Sequence, residues 1–239
     1  MNVDLRVDWC DYKAAKFAVE HWHYSKSVPA GKIVKFGAWE DGRFIGAVLY
    51  SLGANNNIGK PYGLKQTEIC ELTRVALTAH ASPVSQIVSA TLRMLKEQSP
   101  GLRLIVSYAD QNQGHNGSIY QAANWFYVGE IYAELGILLK GHVVHSRSVY
   151  SKYGKKNMDF LRSIDPSVRY VQGKPKHKYL YPLDRAMRKQ ITPLAKPYPK
   201  RESCGQSVEG DTTGDQPEGR VRSPLPALLS QMERHNHLG

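Results

Sequence analysis

The sequence predicts a mixed α/β sheet with helices on both faces. Three observations carry that prediction. Two strand-like runs, 32–39 and 44–50, flank Glu40-Asp41-Gly42-Arg43, and an Asp-Gly between apolar strands is a hairpin signal. Val84, Ile87, Val88, Leu92 and Leu95 recur at helical spacing. The run 102–109, Leu-Arg-Leu-Ile-Val-Ser-Tyr-Ala, is nearly continuous in apolar residues, as a strand covered on both faces requires.

The remaining elements follow in order. Residues 3–7 read as a short strand, and 11–22 as a helix capped by Asp11, with Ala14, Ala15, Ala18 and Trp22 on one face. Residues 53–65, with Asn55-Asn56-Asn57 and Pro61, form a loop long enough to be a candidate functional segment. A strand covers 67–77. Ser82 is the expected N-cap of the next helix, with Pro83 at its first position and Pro100-Gly101 at its end. A polar turn at 110–114 leads to a helix over 116–124, and strands at 125–133 and 137–144 complete the expected core. Beyond 150 the pattern loosens, with helices expected at 157–164 and 183–190. The expected domains are a catalytic α/β core at 1–150, a basic nucleic-acid-binding extension at 151–201, and a disordered tail at 202–239 that is rich in Gly, Ser, Asp and Pro.

Charge is distributed unevenly. Residues 1–139 hold 13 Lys+Arg against 12 Asp+Glu, whereas residues 140–201 hold 16 against 3. A positive field concentrated in one stretch draws in polyanions. Tyr150, Tyr153, Tyr170, Tyr179 and Tyr181 are interleaved with the charge and offer stacking surfaces for bases. Lys152, Lys155, Lys156, Lys174, Lys176, Lys178, Arg185 and Arg188 are the candidate nucleic-acid contacts. The other reading is a solvated lysine-rich face. Three scattered cysteines (Cys10, Cys70, Cys204) suggest reduced thiols, and no run of 18 apolar residues or N-terminal apolar segment is present, so a cytoplasmic protein is expected.

The element order looks like that of the GNAT acetyltransferase superfamily, and the segment 116–129, Asn-Gly-Ser-Ile-Tyr-Gln-Ala-Ala-Asn-Trp-Phe-Tyr-Val-Gly, resembles its closing motif. A closer likeness lies in four separated motifs: His21-Trp22-His23-Tyr24-Ser25-Lys26, Lys35-Phe36-Gly37-Ala38-Trp39-Glu40, Cys70-Glu71-Leu72-Thr73-Arg74-Val75 and Gly114-His115-Asn116-Gly117-Ser118-Ile119-Tyr120-Gln121. In this order they resemble the Mom family of Mu-like bacteriophages, over about residues 15–150. The resemblance implies a GNAT-like mixed sheet. It also implies a transferase that places a carbamoylmethyl group on N6 of adenine in double-stranded DNA and shields that DNA from host restriction.

One departure concerns the donor. GNAT enzymes hold the coenzyme A pyrophosphate on a glycine-rich loop before a helix. Here the segment 76–86 contains no glycine, and Pro83 removes an amide donor. An aminoacyl-tRNA carrying glycine is therefore preferred to acetyl-CoA as the donor, since glycine has the two carbons the adduct needs.

Adenine N6 is a weak nucleophile, so the base must be flipped out, oriented and deprotonated. Asp110, just past a buried strand, is a candidate base or an Asx cap. Tyr120, at the position of the GNAT general acid, is a proton donor or a core residue. Arg74 holds an anionic group of donor or DNA, or joins a structural ion pair. The carboxylate of Glu71, three residues away on the opposite face of a regular strand, is a poor partner for it. His23 and Tyr24 are expected to stack on the base or to serve as a base. His21 and His23 are metal candidates only if the helix frays between them. Ser85, Ser107 and Asn116 are further donor-binding candidates, with His115 beside them. Two other function classes share these features: a non-catalytic DNA-binding phage protein, and an ordinary acyl-CoA-dependent N-acetyltransferase.

Overall fold

The computed structural model describes residues 3–199, apart from 54, 133, 134 and 145. The expected disordered tail and Cys204 lie outside the described residues. Strand β1 (Leu5–Trp9) leads into helix α1 (Tyr12–Trp22), whose first turn is capped by Asp11 accepting the Ala14 N–H at 2.7 Å. Strands β2 (Ile33–Glu40) and β3 (Arg43–Ser51) form the hairpin the Asp-Gly announces, with φ +49° at Asp41 and +79° at Gly42. Such a two-residue turn matches the twist of the strands it joins.

Strand β4 (Ile69–Leu77), helix α2 (Val84–Gln98) and strand β5 (Leu104–Asp110) form a β-α-β unit in which β4 and β5 are parallel. Ser82 does not cap α2. The cap is Pro83, and the Ser82 N–H is spent elsewhere, as described below. Helix α3 is shorter than expected, Ser118–Ala122, because Gly117 at φ +80° turns the chain just before it. Strand β6 (Phe126–Ile131) follows.

The sequence reading departs from the structure after β6. Strand β7 (Gly136–Leu139) lies outside the main sheet and pairs on one side with β8 (His142–Val144) and on the other with β9 (Arg169–Val171), in a small sheet of their own. Helices α4 (Ser146–Tyr153) and α5 (Met158–Ile164) cover it around Ile137, Leu139, Val149, Leu161 and Val168. The chain then returns. Strand β10 (Lys176–Pro182) inserts between β5 and β6, giving a seven-stranded order β1-β2-β3-β4-β5-β10-β6. The expected boundary at 150 is thus corrected: residues 176–182 form an interior strand of the main sheet, with Tyr179 and Leu180 fully buried. Helix α6 (Arg185–Ile191) then buries Met187 and Ile191 against that sheet.

Two cores result. On one face, α2 and α3 pack over Phe36, Val48, Tyr50, Leu72, Ile105, Trp125 and Tyr179. On the other, the loop around Tyr62 and helix α6 cover Ile69, Leu104, Val106 and Leu180, while α1 lies on β2, β3 and β4. Each fully buried Leu or Ile contributes roughly 1.5–3 kcal/mol through its burial. No helix among the described residues is long and apolar enough to cross a membrane.

Candidate functional site

Strand β4 carries a one-residue bulge. Tyr50 pairs with Leu72 and Leu49 with Arg74, so Thr73 is the extra residue. The side chains change phase there: Cys70 and Leu72 face the α2 core, and so do Val75 and Leu77. Glu71 and Arg74 therefore share the opposite face, where a regular strand would have separated them. This corrects the expectation that Glu71 is badly placed for Arg74. On β5, Ile105 and Ala109 face α2, while Val106 and Tyr108 face the other way, and Asp110 continues their phase. Glu71, Arg74, Tyr108 and Asp110 thus line one face across the junction of β4 and β5.

The two strands pair only as far as Glu71 with Val106, and beyond that rung they separate. The hydroxyl of Ser107, fully buried, sits in the gap, 2.8 Å from the Leu72 carbonyl oxygen and 2.7 Å from the Tyr120 hydroxyl. Tyr120 reaches the gap from the α2 side. Burial pushes its phenol up to about 12 despite the Ser107 hydrogen bond, so it holds its proton at neutral pH. Ser107 and Tyr120 are therefore brought together as a buried hydroxyl pair.

His23 and Tyr24 follow the end of α1. The His23 Nδ1 accepts the Ser25 N–H at 3.1 Å and lies 2.8 Å from Ser25 Oγ. Burial, helped by the charges of Arg74, His115 and Lys26, lowers its pKa to about 4. The ring is neutral near pH 7, its Nδ1 lone pair is occupied, and Nε2 carries the proton. With Nδ1 accepting the Ser25 N–H, the His23 ring offers a donor and a stacking surface. Its ring lies 4.3 Å from that of Tyr24, which meets His115 edge-on at 5.6 Å. Tyr24 remains half exposed. Its pKa is raised by partial burial, then by the charge of Asp110, with Arg74 opposing and Glu71 reinforcing.

Arg74 donates from Nε to the Ser27 carbonyl (3.1 Å) and from Nη1 to that of Thr73 (2.7 Å). The partners are neutral, so its positive charge is held in place without being cancelled by them. Asp110 uses Oδ1 to accept from the Asn112 N–H (3.0 Å) and amide (3.1 Å), while Oδ2 lies 3.6 Å from Lys176 Nζ. It is an Asx cap and an ion-pair member at once.

The other donor candidates divide. Asn116 Oδ1 accepts the Ser118 N–H at 3.1 Å, and its carbonyl accepts the Tyr179 hydroxyl at 2.6 Å, a structural role. Ser85 lies on the α2 face in a cleft of about 410 Å³ with Gln86, Asn124, Tyr181 and Arg188, away from the Glu71–Asp110 face. Before α2, the place of the missing glycine loop is taken by an internal anion. The buried carboxylate of Glu40 accepts the Ser82 N–H at 2.6 Å and the Ala81 N–H at 3.0 Å. Burial raises its pKa, but hydrogen bonds from Ser82 and Ala81 and the charge of His80 outweigh that and hold it below the usual range.

The two metal candidates do not converge. His21 Nδ1 is 2.8 Å from the Phe17 carbonyl and its ring stacks on Phe17 at 4.1 Å, while His23 faces Ser25. No cluster of three His, Cys, Asp or Glu exists among the described residues.

The basic residues fall into three groups. Lys176 and Lys178 on β10 pair in register with Asp110 and Tyr108, which brings the positive stretch directly against the site. Lys174 is tied to the same turn, its N–H meeting Asn112 Oδ1 at 3.1 Å. Lys152, Lys155 and Lys156 are exposed on the small-sheet unit, Lys152 lying over the Tyr153 ring at 5.4 Å. Arg185 and Arg188 are exposed on α6, with Arg188 over the Phe126 ring at 5.3 Å.

The profile of the Mom protein family matches residues 4–200. The chain belongs to the Mom protein family. Methylcarbamoylase mom of Escherichia phage Mu is 24% identical over 205 residues, covering 82% of this chain and 84% of that protein. Among solved structures, a probable acetyltransferase from Staphylococcus epidermidis superimposes with TM-score 0.44 at 8% identity, over 77% of this chain and 100% of that one. An acetyltransferase from Acinetobacter baylyi gives 0.43 at 11% identity, over 83% and 98%.

Two residues of the site escaped the sequence reading. Glu71 was set aside because nothing in the string marks a bulge. Glu40 sits in an ordinary hairpin and shows its role only through amides some 40 positions away. The place of Lys176 and Lys178 was legible in principle, since Lys-His-Lys-Tyr-Leu-Tyr alternates with the period of a strand.

Proposed function

We propose that the chain is a transferase that modifies N6 of adenine in DNA with a carbamoylmethyl group, protecting that DNA from restriction. Membership of the Mom family and the name of the phage Mu relative support this reading. The observation that carries it is the polar face at the β4–β5 gap, where Tyr24, Arg74 and Asp110 meet the Tyr120–Ser107 pair beside the basic strand β10. Lys176, Lys178 and the outlying lysines hold phosphates of the duplex. A flipped adenine stacks on Tyr24, backed by His23. The charge of Arg74 polarises the donor carbonyl, and Tyr120 returns a proton to the leaving oxygen.

The donor is of acyl type, and we favour a glycyl ester of tRNA over acetyl-CoA. Glu40 occupies the amides before α2 that a pyrophosphate would need, and that supports a donor bound by other means. N6 adds to the ester carbonyl, a C–N bond forms, the C–O bond to the tRNA breaks, and the freed hydroxyl keeps the proton from Tyr120. An aminoacetyl and a carbamoylmethyl group contain the same atoms; a later rearrangement exchanges the two nitrogens, breaking the N6–C(=O) and CH2–NH2 bonds and forming N6–CH2 and C(=O)–NH2 bonds, with no further reactant.

Mass spectrometry of nucleosides from DNA co-expressed with the chain tests the reading, with synthetic standards separating the two isomers. An adenine adduct that falls roughly 10²–10⁴-fold with Tyr120→Phe is expected, the range of a lost general acid. Unmodified DNA that the chain still binds in a salt-sensitive way would instead favour a non-catalytic binder. Purified protein that uses acetyl-CoA but not glycyl-tRNA would overturn the donor.

A further inference from the structure

Asp110 is tied to the turn after β5 and to strand β10. Oδ1 serves both the backbone and the side chain of Asn112, and Oδ2 faces Lys176. Its geometry is that of a residue holding the turn after β5 and a basic strand in register.

Glu71 is placed differently. It forms the last rung between β4 and β5, so its side chain stands at the root of the gap. The bulge at Thr73 sets it on the same face as Arg74, and β5 sends Tyr108 and Asp110 to that face too. The next residue along β4, Leu72, gives its carbonyl to Ser107, which touches the Tyr120 hydroxyl. Across the face, the backbone of the long 53–65 loop comes close. Gly53 has φ +80°, and a Cβ there would lie 3.0 Å from Glu71 Oε2. The negative charge of Glu71 reaches Tyr24, Arg74, Tyr108 and Tyr120, four groups drawn from four elements around the gap.

We propose that Glu71 is the general base of the reaction, taking the proton from adenine N6 as it adds to the donor. The assignment rests on the transferase reading above. The proton balance closes within the site: N6 loses one proton to the Glu71 carboxylate, the leaving oxygen gains one from Tyr120, and the gap between β4 and β5 lies between these two groups. Arg74, on the same face, stabilises the carbonyl oxygen during the step. The bulge acquires a reason: it sets Arg74 on the Glu71 face and at the same time sends Val75 and Leu77 to the α2 core.

The test uses the full chain with Glu71→Gln, Glu71→Asp and Glu71→Ala, assayed for adenine adduct in single turnovers across a pH series. DNA affinity and thermal midpoint are measured alongside. Glu71→Gln is expected to slow modification by roughly 10²–10⁴-fold while DNA affinity stays within about twofold, and to abolish the acidic limb of the pH–rate profile. Glu71→Asp should restore part of the rate. Glu71→Ala should recover with added formate or acetate, a response that a purely structural carboxylate does not give. Modified DNA with Glu71→Gln within about threefold of wild type, or with Asp110→Asn alone removing the acidic limb, overturns the assignment and leaves the transferase reading intact. Wild-type protein that leaves DNA unmodified overturns both.

Discussion

Glu40→Ala tests whether the amides before α2 form an anion site that the chain fills for itself. The substitution removes a buried carboxylate that accepts the Ser82 N–H at 2.6 Å and the Ala81 N–H at 3.0 and 3.1 Å. Two charge-assisted hydrogen bonds at about 1.5–3 kcal/mol each give a gross loss of about 3–6 kcal/mol. Part of that is offset, because the variant no longer desolvates a charge and the exposed Ala81 amide finds water. Ser82 is buried, so its amide stays unsatisfied. A net cost of about 3 kcal/mol follows, which for a domain of this size lowers the melting midpoint by roughly 6–12 °C. Calorimetry in phosphate-free buffer reads the first quantity. Added phosphate should then stabilise Glu40→Ala and not the parent, since the vacated amides stand at the start of the 15-residue helix α2. A fall of less than about 2 °C, or equal stabilisation of both proteins by phosphate, would refute the reasoning. The pH direction is also defined. The folded-state pKa of Glu40 is depressed, so its contribution is present above the ordinary carboxylate range and is lost as pH falls through it.

Three further outcomes are expected. Gly117→Ala puts a Cβ at φ +80° and 2.3 Å from the Tyr179 ring, so it should cost at least about 2 kcal/mol in a denaturant titration and displace Tyr120 from Ser107. His23 has a folded pKa of about 4 against 6.5 unfolded, so the unfolded chain binds the extra proton between those values. Stability should fall as pH drops from 6.5 toward 4, and His23→Gln should flatten that part of the curve by a few kcal/mol at most, as read by urea midpoints. Lys176→Ala and Lys178→Ala should each reduce the slope of log affinity for duplex DNA against log salt by about 1, measured by anisotropy at several salt concentrations. An unchanged slope would place β10 off the phosphate path.

Much of the fold was legible locally. The Asp41-Gly42 turn, the Asp11 cap and the α2 stripe of Ile87, Val88, Leu92 and Leu95 each depend on neighbours a few positions away, so propensity and periodicity report them directly. The family and its motifs pointed to Tyr24, Arg74, Asp110 and Tyr120 without any coordinates. The roles of those residues depend on partners far along the chain. His23 gave up its basic nitrogen to Ser25, and the burial and neighbouring charges that keep its ring neutral exist only in the folded state. Asp110 turned out to cap as well as to face the site.

Residue types and their rhythm by themselves determined an α/β chain with a hairpin, a β-α-β unit and a basic second half. Tertiary structure alone decided that the basic half returns to the main sheet as the interior strand β10. Which strand fills the place between β5 and β6 is a competition among distant segments, and the pairing of Tyr179 and Leu180 with both neighbours wins it. It also decided that Glu71 and Arg74 share a face. A single extra residue at Thr73 reverses the side-chain phase of β4, and a bulge is a property of two paired strands, visible in neither one alone.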